Sequence, residues 1–131
     1  MGNNEVIFQA EESFGYYIGT HNEGKFALTM YFDGYEDLCV SSTDITDGNW
    51  HHVVGAYDGN SIKIYVDGNL ENTCDAGVLV SQDQSSPITI GAYRAGESNY
   101  QWNGSIDELN IWNASLSDDD VVGLLSADTI I

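Results

Sequence analysis

Apolar and polar residues alternate with a period of two along much of this chain, most clearly between Asp47 and Gly68, DGNWHHVVGAYDGNSIKIYVDG. In an extended strand successive side chains point to opposite faces. Trp50, His52, Val54 and Ala56 therefore share one face of a first strand, and His51, Val53, Gly55 and Tyr57 share the other. In a second strand Ile62, Ile64 and Val66 face a core, while Lys63 and Tyr65 face a side that can be wet. Asp-Gly pairs supply the positive φ angles of tight hairpin turns, so Asp58-Gly59 and Asp67-Gly68 should each reverse the chain and produce a meander.

The same pattern recurs on both sides. Phe26, Leu28, Met30 and Phe32 alternate with Ala27, Thr29 and Tyr31, a long strand whose strongly apolar face places it in the centre of a sheet. Ile88-Thr89-Ile90 and the run from Ser105 to Trp112 read as further strands. Turn signals at Asn22-Glu23-Gly24, Asp33-Gly34 and Asn103-Gly104 separate the runs at the short intervals of a sandwich or barrel. One helix of a turn or two is predicted from Ser117. Asp120 stands three residues on as in a capping box, Leu116 and Val121 are placed as a hydrophobic staple, and Asp118 and Asp119 complement the dipole. Gly123 limits its length, and Leu124 and Leu125 give it a face to bury.

With 131 residues the chain forms one domain, 1–131, large enough to bury a core without a metal or disulfide. Apolar content of 42%, with eight Tyr, three Trp and four Phe, argues for an ordered all-β protein. The charge is lopsided: 21 acidic residues stand against three cations, Lys25, Lys63 and Arg94, for a net charge of −18. Nucleic acid is excluded as a partner, because phosphate binding needs clustered Lys or Arg. Membrane insertion is not expected, since no apolar run is long enough to span a bilayer, and anionic membrane surfaces are disfavoured by charge. The two cysteines, Cys39 and Cys74, both sit in strand-like context and either bridge neighbouring strands or stay reduced and buried. The start, Met1-Gly2-Asn3-Asn4-Glu5, lacks the basic and apolar regions of a signal peptide, which leaves the compartment open.

The segments DGNWHHVVGAYDG, IKIYVDG, ITIG and WNGSIDELNIWNASLSDDDV occur in that order. Together they resemble the laminin G-like and pentraxin-related branch of the concanavalin A-like lectin and glucanase superfamily, over about Phe26 to Leu125. The resemblance implies a jelly-roll sandwich of two antiparallel sheets with one short C-terminal helix, a secreted or cell-surface setting, and calcium-assisted binding of glycans or proteins. Relative to such domains the chain is shortened at its N-terminus, where further strands and early calcium ligands are usual. A sheet lacking strands exposes an edge, so a homo-oligomer is expected. Ala92-Tyr93-Arg94-Ala95 replaces the acidic cluster that pentraxins carry, and a cation there repels a dication.

Among candidate site residues, Asp107 is the metal candidate. It shares a strand face with Leu109 and Ile111, so its carboxylate should turn toward the core, where calcium or backbone N–H groups would satisfy it. His52, in phase with Trp50 and Val54, reads as a hydrogen-bonded core histidine, and His51 as exposed. Catalysis is not expected. No E-x-D-x-E strand places two carboxylates on one face, and no nucleophile elbow or phosphate loop is present. For ligand contact the loop from Tyr93 to Trp102 gathers Tyr93, Arg94, Glu97, Asn99, Tyr100 and Gln101, the mixture of aromatic and hydrogen-bonding groups that sugars use, while Trp102 itself belongs to the core. The expected function is a non-catalytic binding module for carbohydrate or a glycosylated surface, with calcium assisting but not required. The alternative is an assembly module that pairs with itself or a protein partner through its incomplete sheet.

Overall fold

The computed structural model describes residues 4–10, 15–32, 35–77, 88–92 and 100–127. Its strands are β1 (Val6–Ala10), β2 (Tyr16–His21), β3 (Lys25–Phe32), β4 (Tyr35–Asp44), β5 (Val53–Tyr57), β6 (Ser61–Val66), β7 (Asn69–Asp75) and β8 (Thr89–Ile90), followed by helix α1 (Asp118–Ala127). They form two antiparallel sheets, one of five strands in the order β4-β3-β2-β1-β8 and one of three in the order β5-β6-β7. This is the all-β sandwich that the alternation predicts.

The two Asp-Gly turns do what their chemistry requires. Asp58 Oδ1 accepts the N–H groups of Asn60 (2.9 Å) and Ser61 (2.8 Å), closing the β5–β6 turn. At the β6–β7 turn Asp67 and Gly68 both take positive φ, 51° and 84°, the signature of the tight primed hairpin. As predicted, β3 lies inside its sheet, paired to β2 on one side and β4 on the other. Its Phe26, Leu28 and Met30 meet Ile62, Ile64 and Val66 of β6 in the core.

Two expectations are corrected here. Tyr65 does not face water: α1 covers that side of the three-stranded sheet, and Tyr65 is buried with Ala56 and Val121 while its hydroxyl donates to Asp118 (2.5 Å). The helix also exceeds a turn or two, running ten residues through Gly123. The missing side chain at that position costs about 1 kcal/mol, which burial of Val121 outweighs. Its start matches the prediction. The Ser117 N–H donates to Asp120 Oδ2 (2.9 Å), the Asp120 N–H donates to Ser117 Oγ (3.2 Å), and Leu116 packs into the cluster that holds Val121.

The sheets are fastened along one long side. Cys39 of β4 and Cys74 of β7 form a disulfide, with Cα atoms 5.7 Å apart. It joins strands that face each other across the sandwich, not neighbours within a sheet. Beside it Glu71 of β7 accepts hydrogen bonds from the Ser42 and Thr43 N–H groups (3.1 and 2.9 Å) and from the Thr43 hydroxyl, and Asn72 Nδ2 donates to Val40 O (2.9 Å). Burial pushes the Glu71 carboxyl up, but the bonds from Thr43 and Ser42 outweigh it and bring the pKa below its ordinary value. Opposite this seam, β5 has no strand on its outer edge among the described residues.

The run Ser105 to Trp112 does not form a strand. Asp107 Oδ1 accepts the Glu108 N–H (2.8 Å), Asn110 Nδ2 donates to Glu108 O (2.8 Å), and Glu108 takes a φ of 51°. Such local side-chain bonds satisfy the backbone groups a ladder would use, and a left-handed residue breaks the extended run.

Candidate functional site

Five strands face three, so the smaller sheet cannot cover the larger. Fastened at β4 and β7, it leaves part of the inner face of β2 only half-covered, and a cleft of about 1410 Å³ opens there. Tyr16, Ile18, Leu28 and Met30 are among the residues that form its floor, and Val53, Gly55 and Tyr57 of β5 form one wall. Gly55 permits the close approach of β5 to β3: a Cβ there would stand 3.1 Å from Leu28 Cβ.

The rim comes from the loop before β5 and from the segment 102–116. Two tryptophans on it are left in water, Trp50 at 70% exposure and Trp112 at 53%, with Ile111 beside the latter at 59%. Trp102 is half-buried against the core, as expected in part, and its indole N–H points to Ser105 O at 3.4 Å. Amides of Asn49, Asn103 and Asn110 also line the opening.

The Trp50 loop is held by its neighbour. His51 Nδ1 lies 2.8 Å from Asp67 Oδ2 and Nε2 lies 2.8 Å from Asp47 Oδ1, so one imidazole ties the loop to the β6–β7 turn. These bonds, to Asp67 first and then Asp47, raise the His51 pKa above its ordinary value. The Asn49 N–H, followed by His51, pulls the Asp47 carboxyl down to about 2. The histidine roles expected from strand phase are thus exchanged. His51 carries the hydrogen bonds, whereas His52 Nδ1 is buried with no hydrogen-bond partner. Strand β5 begins only at Val53, so the alternation drawn from Trp50 does not hold there.

The predicted site residues fall in different places. Tyr93, Arg94, Glu97 and Asn99 lie outside the described residues. Tyr100 and Gln101 are exposed and fastened by backbone to β1: Tyr100 O accepts the Val6 N–H (2.9 Å) and Gln101 bridges Val6. Neither lines the cleft. Asp107 does line it, but its carboxylate is exposed and does not turn to the core, because its strand does not form. Among the described residues no group of three His, Cys, Asp or Glu side chains stands close enough together to hold a metal ion. Trp50 and Trp112 escaped sequence reading as site residues. The signal available was their position beside turn and cap residues, Asp47-Gly48-Asn49 and Asn113, where an aromatic has no strand to bury it.

A family model described as the concanavalin A-like lectin/glucanases superfamily, laminin G type 3, matches residues 1–122. The chain belongs to this laminin G family. Within it, a curated relative is the rat (Rattus norvegicus) sushi, von Willebrand factor type A, EGF and pentraxin domain-containing protein 1, 26% identical over 132 residues. The match covers 86% of this chain and 4% of that protein's length. Among solved structures, an S-layer domain-containing protein from Clostridium thermocellum is similar, with a TM-score of 0.51 and 22% identity over 94% of this chain and 63% of that one. That similarity speaks to the laminin G sandwich alone.

Proposed function

We propose that this laminin G domain is a non-catalytic carbohydrate-binding module that takes a glycan into the cleft. The observation that carries the reading is the pair of tryptophans, Trp50 and Trp112, standing in solvent on the rim of a groove that asparagines also line. Sugars stack apolar ring faces on indoles and exchange hydroxyl hydrogen bonds with amides. The cross-sheet disulfide supports a place outside the cell or on its surface.

A glycan array probed with folded protein tests the reading. Trp50→Ala and Trp112→Ala should each weaken any hit about tenfold with the melting temperature unchanged, and hits that survive both substitutions would move the site elsewhere. A second reading, partnership through the incomplete sheet, is favoured by the outer edge of β5, which no strand among the described residues pairs. Light scattering separates the two: a monodisperse monomer removes self-association from consideration.

A further inference from the structure

Apart from His51, which bridges Asp47 and Asp67, the charged side chains around the cleft among the described residues are acidic. Glu5, Asp58, Asp67, Asp107 and Glu108 line it, and no lysine or arginine does so among the described residues. Among the described residues His51 and His52 are the only imidazoles there. The Asn60 and Ser61 N–H groups pull the Asp58 pKa below its ordinary value, and Asp107 and Glu108 stand exposed on the rim segment that also carries Trp112.

From this arrangement, and resting on the carbohydrate reading above, we infer that the cleft selects glycans built of amine-bearing sugars, unacetylated hexosamines whose protonated amino groups face the rim carboxylates while their ring faces lie on Trp50 and Trp112. The complementarity is twofold. A carboxylate attracts an ammonium group directly, and an indole face attracts the same cation through its quadrupole. Sulfated, uronate or sialylated glycans meet the opposite field. The whole chain, at −18, repels them before contact. Neutral N-acetylated sugars keep the stacking and lose the charge term.

The test is titration of the intact protein, at about pH 6 and low salt, with glucosamine hexamer, N-acetylglucosamine hexamer, a heparin hexasaccharide and hexalysine, following tryptophan fluorescence. The glucosamine hexamer should bind about tenfold more tightly than its acetylated counterpart, lose that advantage as salt shortens the screening length, and leave heparin unbound. Asp107→Asn with Glu108→Gln should cut the preference severalfold, and an unchanged melting temperature shows that the exposed pair was not holding the fold. Equal binding of both hexamers would overturn the amine selectivity while leaving a carbohydrate module standing. Silence from every sugar would remove both readings. Hexalysine binding as well as the amino sugar would reassign the cleft to basic peptides and overturn the proposal.

Discussion

His51 joins the loop before β5 to the β6–β7 turn with both ring nitrogens, beside the two hydrogen bonds that the His52 backbone makes with Asp67. Two carboxylate acceptors suit the imidazolium, which has a proton on each nitrogen, better than the neutral ring, which has one. Folding raises the His51 pKa, so the folded chain holds this proton more tightly than the unfolded one. The contribution is whole below the ordinary value of 6.5 and is lost as pH climbs through the folded value. Asp47 sets the lower boundary: its carboxyl is held down to about 2, so its share is whole above 3.8 and fades as pH falls toward 2. The melting temperature should therefore drop as pH rises past 6.5 in the native protein and stay flatter in His51→Ala; identical slopes would show that the clamp is not the titrating group. Tyr65 behaves similarly at the alkaline end. Burial, and then Asp118, push its phenol up to about 12, so its stabilising share is whole below 10 and is lost as pH rises toward 12. Tyr65→Phe should remove that alkaline loss and cost about 1 kcal/mol at neutral pH, the worth of one hydrogen bond, read by chemical denaturation.

Helix α1 depends on its first turn and on one buried side chain. Ser117→Ala deletes half of the reciprocal cap and should cost about 1 kcal/mol, whereas Val121→Ala empties a fully buried site and should cost about 2 kcal/mol. Equal losses in urea titrations would contradict this ranking. The cap was legible because its chemistry is local, three residues from donor to acceptor, and the two Asp-Gly turns were legible for the same reason. Strand β3 was legible because only one face of it is strongly apolar. Strand β1 was not singled out: Val6, Ile7, Phe8 and Gln9 are all buried, so both of its faces lose contact with water and no alternation marks it. The reverse error occurred at Ser105 to Trp112, where apolar spacing suits a strand but Asp107 and Asn110 bind the backbone of Glu108 first. The cleft itself was not legible. It arises from five strands facing three, a property of topology, and only Asp107 among the predicted site residues that are described lines it.

On the scale of the whole molecule the Cys39–Cys74 bridge decides how the sandwich is fastened. In the chain-entropy description a loop closed across 35 positions is worth roughly 3 to 4 kcal/mol, so reduction should lower the denaturation midpoint accordingly, and an unchanged midpoint would place the stability elsewhere. The same bridge also governs how the domain behaves under tension. When the chain is pulled by its two ends, the stretch between the cysteines, which contains β5, β6 and nearly all of β7, forms a closed ring that carries no load. Extension stops short by the contour of those 35 positions, about 120 Å. Reduced protein in a force-extension measurement should lengthen by that additional distance when it unravels. In its oxidised form the domain is thus a tether of limited reach, in which the five-stranded sheet can be drawn out while the ring keeps the sheet that walls the cleft out of the line of force.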